Sequence, residues 1–575
     1  MRLFNRLIHP MLLAAVLGLP LGSGWGLGAA RADLAGPYLA ARTATLDGDY
    51  REAANYYGQA LLGDPGNAFL QESELIALVG MDDMTKAKTF AATMDISREK
   101  GSPIAALVQI ATMTEAGEFD ALQKRVAEGI NGGTLLDGLV QGWSYFGMGQ
   151  MSEASAAFDA LAKQDPSMAV FGAYHKALAL AAVGDFETAD KIFAGDAGVE
   201  LRPTRRGVIA HAQILSQLER NADAMALIDS VFGPELDPAL AGLRAELAAG
   251  NTVPFTAVTS PADGMSEVFF TLASALSSEL PEAITLVYAR LAVDLRPGHI
   301  DALLLTASLL DQQRQFDLST AVYAKVPQDD PSFTAAELGR ASALGQAGKV
   351  DAKIEVLTAL TRAKPDLVTI WVELGDAQRQ LERYKEALAA YDKAVSLLGD
   401  PAPEQWFVYF ARGIAEERLK QWDNAEKDFR LALKLNPDQP QVLNYLGYSF
   451  VERGENLDEA LDMIQRAVAG QPDAGYILDS LGWAEFQLGR YADAVGNMEK
   501  AIEQMPVDSL VNDHLGDVYW AVGRKREAEF QWRRALSFGP ETEADAARIR
   551  AKLEKGLDQV LIDEKKPPLK STDAH

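Results

Sequence analysis

The sequence predicts an all-α fold, a solenoid of roughly fourteen antiparallel helix hairpins, and three observations carry that prediction. Prolines recur at Pro297, Pro331 and Pro365 and again at Pro437, Pro472, Pro506 and Pro540, in steps of 34 or 35 residues. A constant step of this size marks stacked supersecondary units. Small residues keep phase with the prolines. Gly375, Gly413, Gly447, Gly482 and Gly516 fall on a first helix, and Ala387, Ala425, Ala460, Ala494 and Ala528 on a second. Ala394, Ala432, Ala467, Ala501 and Ala535 follow seven residues later. Two helices approach closely only where side chains are small. Finally, 575 residues with 48% hydrophobic, 23% charged and no cysteine describe a large folded chain. Its stability must come from a long apolar interface without disulfides.

The elements follow in order. Arg2 and Arg6 precede the apolar run Met11–Leu21, and Ala30-Arg31-Ala32 places small residues before Asp33, so residues 1–32 read as a signal peptide cut before Asp33. That implies export from the cytoplasm. The run is too short to span a membrane, and no later stretch is longer. Residues 1–32 contain neither a twin-arginine pair nor a cysteine for a lipid anchor. Residues 33–250 read as a divergent N-terminal solenoid, with hairpin signals at Asp49-Tyr50-Arg51-Glu52-Ala53, around Gly142 and Tyr145, and at Gly184-Asp185-Phe186. The hairpins are faintest at about 100–130 and 235–265. In residues 251–262, Pro254 and Pro261 and several β-branched residues interrupt the pattern, which reads either as a joint between two halves or as a longer loop within one solenoid. Residues 263–540 form the regular C-terminal solenoid. Tyr391, Phe429, Ile464, Met498 and Trp532, four positions after each second-helix alanine, are expected to fill the space between neighbouring hairpins. Residues 541–561 read as a charged amphipathic capping helix and 562–575 as a disordered tail.

The repeated residues resemble the tetratricopeptide repeat family, whose unit reads W-x2-L-G-x2-Y, then A-x3-F, then A and P. Trp371-Val372-Glu373-Leu374-Gly375 with Ala387, Tyr391 and Ala394 matches it. So does Leu515-Gly516-Asp517-Val518-Tyr519 with Ala528, Trp532, Ala535 and Pro540. The resemblance covers nearly all of the chain after residue 32 and implies a right-handed superhelix with a concave groove that binds protein segments.

The residues offer no catalytic set. Outside the first segment and the terminus, the histidines are His175, His211, His299 and His514, each on a different hairpin and none at metal-binding spacing. His175 and His211 read as packing residues. No phosphate loop, nucleophile elbow or calcium-loop spacing occurs. The sequence therefore predicts no enzyme, no cofactor, no metal and no small-molecule substrate. A formal charge of −27 argues against nucleic acid, because phosphates need Lys and Arg. Residues 1–32 hold Arg2, Arg6 and Arg31 and no acid, so their removal makes the chain more negative still.

What remains is surface. The family lines its groove with positions 2, 5, 9, 12 and 13 of each first helix. By position this gives Gln441, Asn444, Tyr448, Val451 and Glu452, then Tyr476, Asp479, Trp483, Phe486 and Gln487, then Leu510, Asp513, Asp517, Trp520 and Ala521. Aromatics and acids alternate, which predicts a partner segment with apolar and basic side chains. The alternative reading of Trp483 and Trp520 is partial burial between hairpins. Arg524, Lys525, Arg526, Arg533 and Arg534 form a basic patch on the last hairpin, and Arg202, Arg205 and Arg206 a smaller one. Each is either a solvated face or a contact for anionic lipid headgroups or an acidic partner surface.

The C-terminal repeats, including Leu443-Asn444-Tyr445-Leu446-Gly447-Tyr448 and Asn512-Asp513-His514-Leu515-Gly516, also resemble a group of bacterial envelope adaptors. That group includes the lipoprotein partner of a carboxyl-terminal processing protease. The resemblance implies an adaptor that brings a periplasmic protease and its substrates together, although the lipidated cysteine of that partner is missing. The alternative is an accessory factor for envelope polymer export or outer-membrane assembly.

Overall fold

The structure, a computed structural model, describes residues 29–569 except 131 and 197, with side chains from residue 35 onward. Among the described residues, thirty-one α-helices and two short 3-10 turns account for the regular structure, and no β-strand occurs. The apolar run Met11–Leu21 of the expected signal peptide lies outside the described residues. Helix Ala29–Leu46 begins just ahead of the expected cut at Asp33.

Successive helices pair through short turns, most of which contain a residue with left-handed backbone. Glycine serves at Gly149, Gly184, Gly489 and Gly523, while Asp82, Glu219, Arg314, Glu382 and Lys420 hold φ between 59° and 70° despite their Cβ atoms. Asp49, Asp83 and Asp185 then cap the second helices, each accepting a backbone N–H three residues on. Within a hairpin the first-helix glycine receives the large second-helix residue. A Cβ on Gly375 would lie 2.5 Å from Tyr391, on Gly413 2.7 Å from Phe429, and on Gly516 2.4 Å from Trp532. The large residues therefore fill the space inside their own hairpin, and some also reach the next one as expected: the Phe429 ring lies 5.3 Å from Tyr445, and Tyr391 packs with Ala411 and Ala415. Glycine at this position is what lets an aromatic ring sit between two helices in contact.

The chain forms two compact units, Met1–Ala347 and Gly348–His575. The first unit contains residues 251–262, so the expected joint lies inside it. Hairpins run from residue 29 to 232, including one at Pro103–Glu115 and Phe119–Glu128, and are followed by the single helix Pro238–Ala248. Helix Pro261–Ala275 then packs against Pro103–Glu115, Thr134–Gly147 and Ala169–Ala182, the first helices of three earlier hairpins. Its partner Glu282–Leu295 packs against Ala68–Gly80 and Pro103–Glu115. This returning hairpin fills the inner face of the first unit. Trp143, fully buried, fits against Gly264, where a Cβ would lie 2.2 Å away. The buried Arg290 guanidinium donates to the Gly80 carbonyl at 3.0 Å.

The residues leading into that hairpin lie along helix Arg205–Gln217 in extended form. Val253 N–H donates to Ser216 Oγ, Gln217 Nε2 to the Val253 carbonyl, and Thr256 N–H to Gln213 Oε1. Val258 is fully buried. The prolines and β-branched residues that break the helical pattern here suit an extended strap, whose backbone polar groups are satisfied by side chains in place of a helix.

The second unit is more regular. After helix Val350–Ala363 come five hairpins from Val368 to Ser537, and then two helices, Glu543–Lys555 and Leu557–Asp563. The expected single capping helix is split at Gly556, whose φ is 81° and whose missing Cβ leaves room for the Trp520 ring. The described part of the expected tail does not leave the surface, since Leu569 packs against the core of this unit.

Candidate functional site: the inner face of the second unit

The first helices of the second unit form a layer. Val368–Gln380 touches Trp406–Arg418, and Pro440–Arg453, Gly475–Gln487 and Ser509–Ala521 touch in series. The groove residues expected from position all lie on this layer, but most are covered.

Trp483 and Phe486 are each only 8% exposed. Their rings stack at 4.9 Å, and the other face of Trp483 stacks on His514 of the next hairpin at 4.0 Å. The indole Nε1 donates to Glu452 at 2.9 Å, and His514 Nδ1 lies 3.1 Å from both Asp479 oxygens. Burial opposes charge on His514, yet the Asp479 carboxylate outweighs it and holds the imidazole above its usual range. Asn444 is also buried, with its Oδ1 unpartnered, and Tyr448 is half-buried. This part of the face is a packed interior.

The last repeat is covered by the chain's own C-terminal helix. Lys552, whose side chain is wholly buried, donates to both Asp513 oxygens at 2.8 Å and to Asp517 at 2.6 Å. Arg548 stands 3.7 Å from Asp517, and Trp532 Nε1 donates to Asp517 at 2.9 Å. Trp520 donates to Asp558 and carries the Lys525 ammonium 4.5 Å from its ring. The acids do accept basic side chains, but those of Lys552 and Arg548 from the same chain. An uncompensated carboxylate here would be costly, so capping and charge neutralisation are one device.

The accessible part of the layer is the first turn of successive first helices. Tyr476 is 38% exposed, and one and two repeats earlier the same position holds Gln441, exposed, and Phe407, also 38% exposed. Leu510 continues the row. Phe407 was outside the set chosen from the sequence, although applying the same 34-residue step one repeat upstream would have found it. Exposed Glu452 and half-buried Glu417 supply acid on the same layer.

The basic residues separate into two kinds. Arg205 pairs with Asp237 and Asp301, and Arg206 with Glu267 and Asp301, so these two are internal ties of the first unit. Arg524 bonds Glu499 and Glu527 and lies over Tyr519. Arg526 is exposed, Arg533 is exposed beside Glu529, and Arg534 donates to the Pro506 carbonyl. His175 is buried as a packing residue and accepts from Trp143 at 3.1 Å. No group of three or more His, Asp or Glu able to hold a metal occurs among the described residues, and no described helix is long and apolar enough to cross a membrane.

Family models of the tetratricopeptide repeat match residues 139–167, 338–405, 406–439 and 446–509. These are tetratricopeptide repeats. The TPR repeat-containing protein PA4667 of Pseudomonas aeruginosa is 28% identical over 211 residues, which cover 36% of this chain and 35% of the relative. Tetratricopeptide repeat protein 13 of Homo sapiens is 27% identical over 174 residues, 29% of this chain and 20% of that one. The Vi polysaccharide export protein VexE of Salmonella typhi is 23% identical over 178 residues, 30% of this chain and 26% of the relative. The matched stretches thus span about a third or less of these relatives' lengths. Among solved structures, the APC/C Cut9–Hcn1 hetero-tetramer aligns over 91% of this chain and 96% of its own, at 14% identity and a TM-score of 0.37.

Proposed function

We propose that this protein is a non-enzymatic scaffold of the bacterial envelope that holds a segment of a partner protein on the inner face of its second unit, between Phe407 and Tyr476. The observation that carries the reading is the row Phe407, Gln441 and Tyr476. It is exposed and in register over three consecutive repeats and is continued by Leu510, whereas the inner face of the first unit and the Asp513 and Asp517 part of the last repeat are filled by the chain itself. An extended segment placed across such a row meets one anchor per repeat, with Glu417 and Glu452 beside it for basic side chains. In its sharper form the scaffold is a periplasmic adaptor that brings a protease to its substrates. The signal-like residues 1–32 and the likeness of the C-terminal repeats to envelope adaptors support that form. The similarity to VexE favours a second reading, an accessory factor of envelope polymer export.

The full chain carrying Phe407→Ser and Tyr476→Ser tests the proposal. Both residues are exposed, so the helical circular-dichroism spectrum should be unchanged while recovery of the cross-linked partner falls at least about tenfold. Equal recovery would remove the inner-face reading, and recovery of polymer-export components in place of a protease and its substrates would select the second one.

A further inference from the structure

The outer helix of the last hairpin, Lys525–Ser537, carries a face that the hairpin fold does not use. Ala528, Gln531, Trp532 and Ala535 are buried toward the first helix. On the opposite side stand Arg526, Phe530, Arg533 and Arg534, with Phe538 just past the helix end. Phe530 is 58% and Phe538 38% exposed, and the Arg534 guanidinium lies 5.9 Å and 5.5 Å from their ring centres. A phenylalanine this exposed gains nothing in water, and a guanidinium beside it keeps the ring presented instead of folded away. The acids on this exposed side are Glu529, which bonds Arg533 at 3.4 Å, and Glu527, which bonds Arg524 at 2.8 Å, so that Arg526, Arg533 and Arg534 still leave it net positive on a chain of formal charge −27.

We propose that this face is a peripheral membrane contact: Arg526, Arg533 and Arg534 meet anionic lipid headgroups while Phe530 and Phe538 enter the boundary between headgroups and acyl chains. Two features select a lipid surface. The sign is opposite to that of the whole molecule, so a negatively charged surface both attracts this face and repels the others, which fixes the orientation. Exposed aromatic rings interleaved with guanidinium groups suit a boundary that is apolar below and anionic above. The contact is independent of what the inner face of the second unit binds, and the last hairpin's outer helix leaves that face free.

Flotation of the full chain with vesicles tests it. Vesicles containing about a third phosphatidylglycerol should bind the protein, and pure phosphatidylcholine vesicles at least tenfold less. Raising the salt from about 0.05 M to 0.5 M should release it. Arg526→Glu with Arg533→Glu should weaken binding at least tenfold, and Phe530→Ser with Phe538→Ser, which keeps every charge, about fivefold or more. All four residues are exposed, and an unchanged circular-dichroism spectrum verifies folding. Absence of binding to the phosphatidylglycerol vesicles would overturn the proposal, as would binding that ignores either pair of substitutions. Binding of soluble polyglutamate through the same residues, without vesicle binding, would overturn it in favour of an acidic protein partner.

Discussion

At the scale of single residues, the inner face of the second unit shows how the same side chains can serve packing in place of recognition. The position of Trp483 in its repeat places it on the inner layer. Whether that layer is open depends on His514, one repeat later, and on Lys552, which belongs to no repeat. No local pattern ties either to Trp483, so exposure could not be read from spacing. Changing Trp483 or Phe486 to Ala would cut into a buried stack and lower stability. Phe407 and Tyr476 are therefore the cleaner probes. Nearby, Glu416 is 6% exposed, one of its oxygens has no partner, and burial, then Asp428, pushes its carboxyl from 4.5 up to about 7. A carboxyl whose folded value is raised contributes most when protonated, so that contribution is present below about pH 4.5 and is lost as pH rises through 7. Glu416→Gln should stabilise the protein by about 1–2 kcal/mol at pH 8 and by little at pH 4.5, read as the difference between variant and parent in urea unfolding. An equal effect at both pH values would show that ionisation of Glu416 is not the cause.

At the scale of elements, the hairpins were legible because their causes are periodic. The small first-helix residue, the small second-helix residue and the proline each recur, and the structure adds the reason for the first. A Cβ on Gly516 would lie 2.4 Å from Trp532, whereas Gly496 on a neighbouring second helix faces open space. Gly516→Ala should therefore cost about 1–3 kcal/mol through overpacking. Gly496→Ala should gain about 0.5–1 kcal/mol from helix propensity alone, both measured by thermal unfolding. The capping helix was legible as amphipathic but not as broken, because the break at Gly556 answers to the Trp520 ring and not to any neighbour in sequence. The strap at 251–260 was visible as an irregularity. Its meaning was hidden because Gln213, Ser216 and Gln217, which hold it, look like ordinary helix-face residues.

At the scale of the whole molecule, the division into units falls at Ala347 and Gly348, inside the interval between Pro331 and Pro365 where the period is undisturbed. Composition carries no mark there, which is why the joint was expected at the visible break instead. Each unit disposes of its inner face in its own way. In the first, the returning hairpin brings Glu267 against Arg206, His299 and Tyr174. Its own burial opposes ionisation, but Arg206 above all holds the carboxyl far below its usual range. In the second, the C-terminal helix covers only the last repeat, and the row from Phe407 to Tyr476 stays open.

The central claim, that the protein works by holding a partner at this open row, is tested most directly by photo-cross-linking in the cells that make it. A benzophenone side chain is placed at Gln441, in the middle of the row, and in a parallel strain at Ser396 on the outer helix Tyr384–Leu398, both exposed positions. The account predicts a discrete protein adduct from position 441 that is at least about tenfold more abundant than from 396 and is lost with Phe407→Ser and Tyr476→Ser. Adducts from 396 and not from 441 would contradict the placement of the site, and the absence of a protein adduct from both would contradict the scaffold itself.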